Sequence, residues 1–286
     1  MKRTLDICIV SDVHLGTYGC HAKELLNYLK SIKPKVLILN GDFFDIWQFN
    51  KKWFPPEHVK VVQRIMKMAM SGTKVYYITG NHDDALRRYS GFSIGNIHLR
   101  DSLVIQVGGE QHWIFHGDVF DLVIQYSPLL SKLGSQGYDW LIRLNRLVNK
   151  WRAMMGKPRM SFAAKVKHRV KEAVKFIADF EETAIRMARE KGYGFVVCGH
   201  IHQPQIRQEQ GVTYLNSGDW VESLTALEFN FGKWSIYEYD EADFDFINPK
   251  LKVKEAQHDL DDEQEIQEDA SLVEILAMVT QIEAVR

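Results

Sequence analysis

Cysteine is scarce in this 286-residue chain: Cys8, Cys20 and Cys198 are the whole set, and no two form a CxxC pair. An odd, sparse set excludes a disulfide framework and points to a reducing compartment. Long apolar runs are also missing. None reaches the roughly 18–20 residues that a membrane-spanning helix requires. Lys2 and Arg3 precede an apolar stretch, but that stretch contains Asp6 and stops at Ser11-Asp12, which reads as a strand and not as a secretory leader. No internal repeat stands out. There is almost no net charge, −1 in total, but the balance is uneven. Residues 255–286 hold ten acidic residues and one basic one, leaving 35 Lys/Arg against 27 Asp/Glu in the rest. A basic body suits an anionic partner, such as a phosphorylated metabolite, a nucleic acid or an anionic lipid surface.

What is present fits a globular protein, with 45% hydrophobic and 26% charged residues, long enough for one large domain with a sizeable core or for one domain plus a tail. Leu5–Val10, Val36–Leu39 and Val75–Ile78 are short, nearly continuous apolar runs that suit strands buried on both faces. Between them, residues 21–32 and 57–71 carry apolar side chains at helical spacing. Alternating strands and helices imply a layered α/β fold with right-handed crossovers. Residues 97–116 read as a hairpin or a meander, with turn signals at Gly108-Gly109. Strand patterns return at 195–198, 212–215, 223–229 and 234–239, which are expected to build a further sheet packed on the first. A helical stretch at about 120–191 interrupts them. The chain is therefore expected to form one domain over 1–240, an acidic linker over 241–270 and a short amphipathic helix over 271–286.

Five polar clusters sit where apolar runs end: Asp12-Val13-His14, Gly41-Asp42, Gly80-Asn81-His82-Asp83, His116-Gly117-Asp118 and Gly199-His200-Ile201-His202. In open α/β sheets, ligands collect at the carboxyl ends of strands. The clusters supply carboxylate, amide and imidazole groups, a ligand set for two divalent ions. Such ions lie about 3.5–4 Å apart and need a shared carboxylate between them. Asp42 is the natural bridge. Asp12 and His14 are separated by one residue, so on an extended segment they point the same way, and His200 and His202 repeat the spacing. Mixed N/O ligation without thiolate suits Mn, Fe or Zn. Mn is the first expectation. The chemistry is metal-assisted hydrolysis of a phosphate ester or anhydride.

Asp12-x-His14, Gly41-Asp42-x-x-Asp45, Gly80-Asn81-His82-Asp83, His116-Gly117-Asp118 and Gly199-His200-x-His202 resemble the signature blocks of the calcineurin-like metallophosphoesterase superfamily. The resemblance spans about residues 5–240. It implies an α/β (α+β four-layer) fold, a two-sheet β-sandwich flanked by helices, here with a helical lid insertion. It also implies one metal on Asp12, His14, Asp42 and His202, a second on Asp42, Asn81, His116 and His200, and a catalytic His82 oriented by Asp45. Within the superfamily, Gly41-Asp42-Phe43-Phe44-Asp45-Ile46-Trp47, the insert after Asp118 and Gly199-His200-Ile201-His202-Gln203-Pro204 resemble the UDP-2,3-diacylglucosamine pyrophosphatase branch. That branch releases UMP and a sugar 1-phosphate in lipid A synthesis. His82 stands where that branch usually carries Arg. A phosphomonoesterase, a phosphodiesterase and a non-catalytic scaffold of the same fold therefore stay open beside it.

Residues 141–171 contain ten Lys/Arg and no Asp or Glu. Arg143, Arg146, Lys150, Trp151 and Arg152 lie among Leu144, Leu147, Val148, Met154 and Met155 at helical spacing. A basic amphipathic helix with Trp reads as membrane-surface contact or as a cap over an acylated anionic substrate. The expected partners are an acylated nucleotide-sugar and the anionic cytoplasmic face of the inner membrane. The expected location is cytoplasmic. Nucleic acid is the weaker reading of the same charge.

Overall fold

The computed structural model describes residues 2–47, 54–120, 177 and 179–245. In chain order these form β1 (Arg3–Val10), α1 (Ala22–Ser31), β2 (Ile32–Asn40), α2 (Pro56–Met70), β3 (Lys74–Ile78), β4 (Ser93–Ile94), β5 (Ile97–Arg100), β6 (Ser102–Val107), β7 (Glu110–Phe115), a helix over 179–190, β8 (Phe195–Cys198), β9 (Gln205–Glu209), β10 (Val212–Asn216), β11 (Thr225–Asn230), β12 (Lys233–Glu238) and a final turn of helix (Ala242–Asp245). The chain divides into two compact units, Met1–Asp118 with Met187–Arg286, and Val119–Arg186.

The first unit holds two sheets. One has seven strands in the order β12-β11-β1-β2-β3-β5-β4, and the other five in the order β6-β7-β8-β10-β9. β1, β2, β3 and β5 run parallel, with Ile9 opposite Ile38 and Leu39 opposite Tyr77. Alternation along these strands sorts the side chains into two cores. Cys8, Val10, Leu37, Leu39, Val75 and Tyr77 pack with Leu25, Leu29, Val61, Ile65 and Met68 of α1 and α2. Ile7, Ile9, Ile38, Ile78 and Leu227 pack with Ile114, Val197 and Leu215 of the smaller sheet. Trp234 Nε1 donates to His112 Nε2 at 3.0 Å, tying β12 to β7 across the sandwich. Pro56 opens α2, where a missing N–H costs nothing.

Two expectations need correcting. Strands β11 and β12 do not belong to the second sheet. They extend the first, because β1 leaves one edge open and β11 fills it antiparallel, with Ile7 opposite Phe229. β9 was not expected at all. Its sequence, QIRQE, is polar and half-exposed, as suits an edge strand whose pairing with β10 supplies the order. The three cysteines are free, as their spacing suggests. Among the described residues no helix is long and apolar enough to cross a membrane.

In the second unit, Phe120 and Phe180 meet edge-to-face at 5.3 Å between ring centroids. Arg143, Arg146, Lys150, Trp151 and Arg152 lie outside the described residues, as do residues 246–270 of the linker expected over 241–270 and the helix expected over 271–286.

Candidate metal centre

Each candidate ligand follows directly on a strand. Asp12 and His14 follow β1, Asp42 follows β2, Asn81 and His82 follow β3, His116 follows β7, and His200 and His202 follow β8. Parallel pairing of β1, β2 and β3 and of β7 and β8 brings these ends to one edge of the sandwich. The side-chain donor atoms then gather. Asp12, His14 and His202 present atoms within 4.8 Å of one another, as do Asp42, His116 and His200, and His14, Asp45 and His82. His116 links the first two groups, its Nε2 lying 3.2 Å from Asp42 Oδ2 and 3.9 Å from Asp12 Oδ1.

The extended geometry assumed for Asp12 and His14 is not what the chain does. Eight non-glycine residues have left-handed φ among the described residues, and five of them are Asp12, His14, Asp42, His200 and His202. This conformation is sparsely populated by L-residues and clusters at functional sites. It turns the backbone sharply as each strand ends. Asp12 N–H, Val13 N–H and Leu15 N–H then bond to the carbonyls of Gly41, Asp42 and Phe43, which laces the two loops together. Gly41 and Gly80 are required by close approach. A Cβ on Gly41 would strike the His116 ring, and one on Gly80 would strike Asp42 Oδ1.

Backbone donors aim the carboxylates. His82 N–H donates to Asp42 Oδ1 at 2.8 Å, leaving Oδ2 facing His116. His200 N–H donates to Asp12 Oδ2 at 3.1 Å, leaving Oδ1 facing His202 Nε2 at 3.1 Å. His116 Nδ1 lies 2.9 Å from the Asn40 carbonyl, which only accepts, so Nδ1 carries the proton. Nε2 of the neutral ring is then a lone pair directed at two carboxylates. Asn81 Oδ1 is buried without a hydrogen-bond partner. Lone pairs directed at carboxylates, and a buried amide oxygen left over, call for a cation. These residues fit a pair of divalent ions in donor type and in placement.

Electrostatics carry the same demand. Burial opposes ionisation of Asp12 and Asp42, yet His202 and His116 beside Asp12, and His116 beside Asp42, outweigh it and lower both carboxyl pKa values. Burial likewise opposes charge on His116, but Asp42 and Asp12 raise it well above the usual imidazole value. His202, desolvated but beside Asp12, is pushed up to about 9. His82 is desolvated as well, and the Asp45 carboxylate, 3.0 Å from its Nδ1, raises it.

Sequence reasoning missed some supports. Asp83, fully buried, accepts from Gly80 N–H at 2.6 Å, Phe43 N–H at 3.0 Å and Tyr77 O–H at 2.5 Å. It thereby joins the Asp42 loop to the Asn81 loop. Burial and the nearby Asp42 charge raise its pKa to about 6. The signal was available, since Asp83 closes the Gly80–Asp83 cluster. Asn40, whose carbonyl orients His116, was visible only as a polar residue ending an apolar strand.

A family model described as calcineurin-like phosphoesterase matches residues 5–204. The chain belongs to the calcineurin-like phosphoesterase family. Membership makes it a metal-dependent phosphoric-ester hydrolase. Among curated relatives, the UDP-2,3-diacylglucosamine hydrolase of Aliivibrio fischeri is 25% identical over 82% of this chain and 98% of its own length. The protein of the same name from Wigglesworthia glossinidia brevipalpis is 26% identical over 85% and 98%, and that from Pseudomonas putida strain KT2440 is 27% identical over 78% and 94%. Among solved structures, the E. coli phosphoesterase YfcE is similar over 82% of this chain and 99% of its own, at 12% identity and a TM-score of 0.40.

Proposed function

We propose that this enzyme hydrolyses the pyrophosphate of UDP-2,3-diacylglucosamine, or of a similar nucleotide-linked lipid, to UMP and the acylated sugar 1-phosphate. Asp12, His14, Asp42 and His202 would hold one divalent ion, and Asp42, Asn81, His116 and His200 a second, with manganese the first choice over iron or zinc. One observation carries the metal assignment. His116 has its Nδ1 proton committed to Asn40 and its Nε2 facing the inner oxygens of both Asp12 and Asp42. The substrate assignment is supported by the curated relatives, which are named for that activity and match nearly end to end.

Ions bound there supply Lewis acidity at the phosphate oxygens and bring the pKa of water toward neutrality. The rest falls to the chain. Backbone N–H groups of His82 and His200 fix the Asp42 and Asp12 carboxylates before substrate arrives, so no reorganisation is needed at the moment of reaction. Asp45 holds the His82 imidazole at 3.0 Å, and its Oδ2 also lies 3.6 Å from His14 Nδ1. His82 then donates a hydrogen bond to a phosphate oxygen, or its proton to the departing oxygen. UMP leaves as a stabilised anion and needs little of that help. The basic segment 141–171 gives the acyl chains and the anionic headgroup region a counterpart, and the protein works peripherally on the cytoplasmic face of the inner membrane.

A second reading, a phosphomonoesterase or phosphodiesterase, is favoured by the presence of His82 itself. An alkoxide leaving group needs an acid, and the Asp45 carboxylate 3.0 Å from His82 Nδ1 supports that role for His82. The test is release of UMP from UDP-2,3-diacylglucosamine with manganese, set beside turnover of an aryl phosphate. UMP release with little aryl phosphate turnover supports the first reading. Aryl phosphate turnover without UMP release gives the second.

A further inference from the structure

The segment that follows His82-Asp83 leaves the centre and runs to the sheet edge. Residues 84–89 form a 3-10 turn, and β4 and β5 then make a short antiparallel hairpin at the outer edge of the seven-stranded sheet. Three large apolar side chains on it face solvent: Tyr89 is 43% exposed, Phe92 58% and Ile94 65%. Isolated apolar residues at a surface need no explanation, but three within six residues form a patch, and patches mark contact sites.

The charge around the patch selects the partner. Residues 87–100 contain Arg87, Arg88, Arg100 and His98, and no Asp or Glu. Arg87 is paired with Asp118 at 2.7 Å and also reaches the Gly80 carbonyl, so it anchors the turn to the loops of the candidate centre. Arg88 lies against the Tyr89 ring, 5.6 Å from its centroid. Arg100 donates to the carbonyls of Phe92 and Leu99 at 3.1 and 2.7 Å, which holds the hairpin that displays Phe92 and Ile94. The patch is therefore fixed, not a loose loop. Its edge strand is two residues long, too short to template pairing with another sheet. Aromatic and aliphatic side chains beside Arg88 and Arg100, with acids only at the two ends of the segment in Asp84 and Asp101, match the headgroup layer of an anionic bilayer. There the apolar tips enter the acyl boundary and the guanidinium groups meet phosphate.

We infer that Tyr89, Phe92 and Ile94, with Arg88 and Arg100, dock this protein on an anionic membrane surface. The inference rests on the reading of a lipid-linked substrate and deepens it. The docking patch begins seven residues after His82 and is bonded through Arg87 to the loops that carry Asn81 and His116. Docking there would bring the candidate centre to the surface where an acylated substrate resides.

The test is co-sedimentation of the full chain with vesicles of phosphatidylcholine alone and of phosphatidylcholine mixed with phosphatidylglycerol. Binding is expected only to the mixed vesicles. Phe92→Ser with Ile94→Ser should weaken it about tenfold or more by removing two apolar anchors. Arg88→Gln should weaken it by about fivefold. Phe92→Trp supplies a second reading, because its added indole emission should be quenched by brominated lipid. No binding by the wild type overturns the inference. So does wild-type binding by the double Ser variant, added emission from the Phe92→Trp variant that brominated lipid leaves unquenched, or a patch that proves to hold a second copy or DNA instead. Aryl phosphate hydrolysis is expected to be equal in all variants. Its absence throughout would sink the functional reading while leaving the vesicle result intact.

Discussion

Replacing Asp83 probes how the centre is assembled, because this one carboxylate serves two loops. Oδ1 accepts from Gly80 N–H, and Oδ2 from Phe43 N–H and Tyr77 O–H. In Asp83→Asn, the amide oxygen can keep the two donors on one side, but its NH2 must then face the remaining backbone N–H. One buried donor is left without a partner, at a cost of about 1–3 kcal/mol. Asp83→Ala strands all three. A water entering the small space recovers part of that, so about 3–5 kcal/mol is expected. Against a domain stability of about 5–15 kcal/mol, both variants should fold, in the order wild type, Asn, Ala. The functional effect should exceed the stability effect. Phe43 and Gly80 flank Asp42 and Asn81, so loosening either loop should raise the manganese concentration for half-maximal activity by about 10–100-fold. The assays are urea unfolding of the metal-free protein and aryl phosphate hydrolysis titrated with manganese. An Asn variant with wild-type stability and unchanged manganese dependence would refute the reasoning. A stability loss with no change in manganese dependence would reduce Asp83 to a packing role.

Other outcomes follow from the same geometry. Asp42→Ala should abolish metal-dependent hydrolysis while the circular dichroism spectrum stays that of the folded protein, and normal rates would remove Asp42 as the shared ligand. His82→Ala should lower the rate on an alkyl phosphate by about 10²–10⁴, and much less on a substrate that releases UMP; equal losses on both would assign it to binding and not to acid catalysis. His58 and His112 have pKa values lowered chiefly by burial. Unfolded, they bind protons below about 6.5 that the folded protein refuses, so their contribution is present above that pH and lost as pH falls. The wild type should therefore lose stability relative to His58→Gln as pH falls from about 6.5 to 5. A gap between the two that does not change with pH would refute this.

Much of the centre was readable because its residues sit at a kind of position that sequence marks well. An apolar run that stops at Asp, Asn or His is conspicuous, and β1, β2, β3, β7 and β8 all stop in that way. What pattern cannot show is how a chain turns once the strand is over. Asp12 and His14 were paired by the side-chain period of an extended segment, whereas both have left-handed φ, as do His200 and His202. The spacing argument reached residues that the fold does bring together, but through the wrong conformation. The edge strand Gln205–Glu209 and the placement of β11 beside β1 were hidden for a related reason, since pairing partners and not local periodicity determine them. Asp45 and Asp83 illustrate the limit most clearly. Both are buried carboxylates three residues or fewer from a candidate ligand, yet one faces two imidazoles while the other faces backbone N–H groups and a phenol. Only the register between the loops after β2 and β3 distinguishes them. That register is set by the apolar side chains of the strands themselves. The same packing that aligns Leu39 with Tyr77 in the core therefore decides, a few residues further on, which carboxylate orients a histidine and which one holds the loops together.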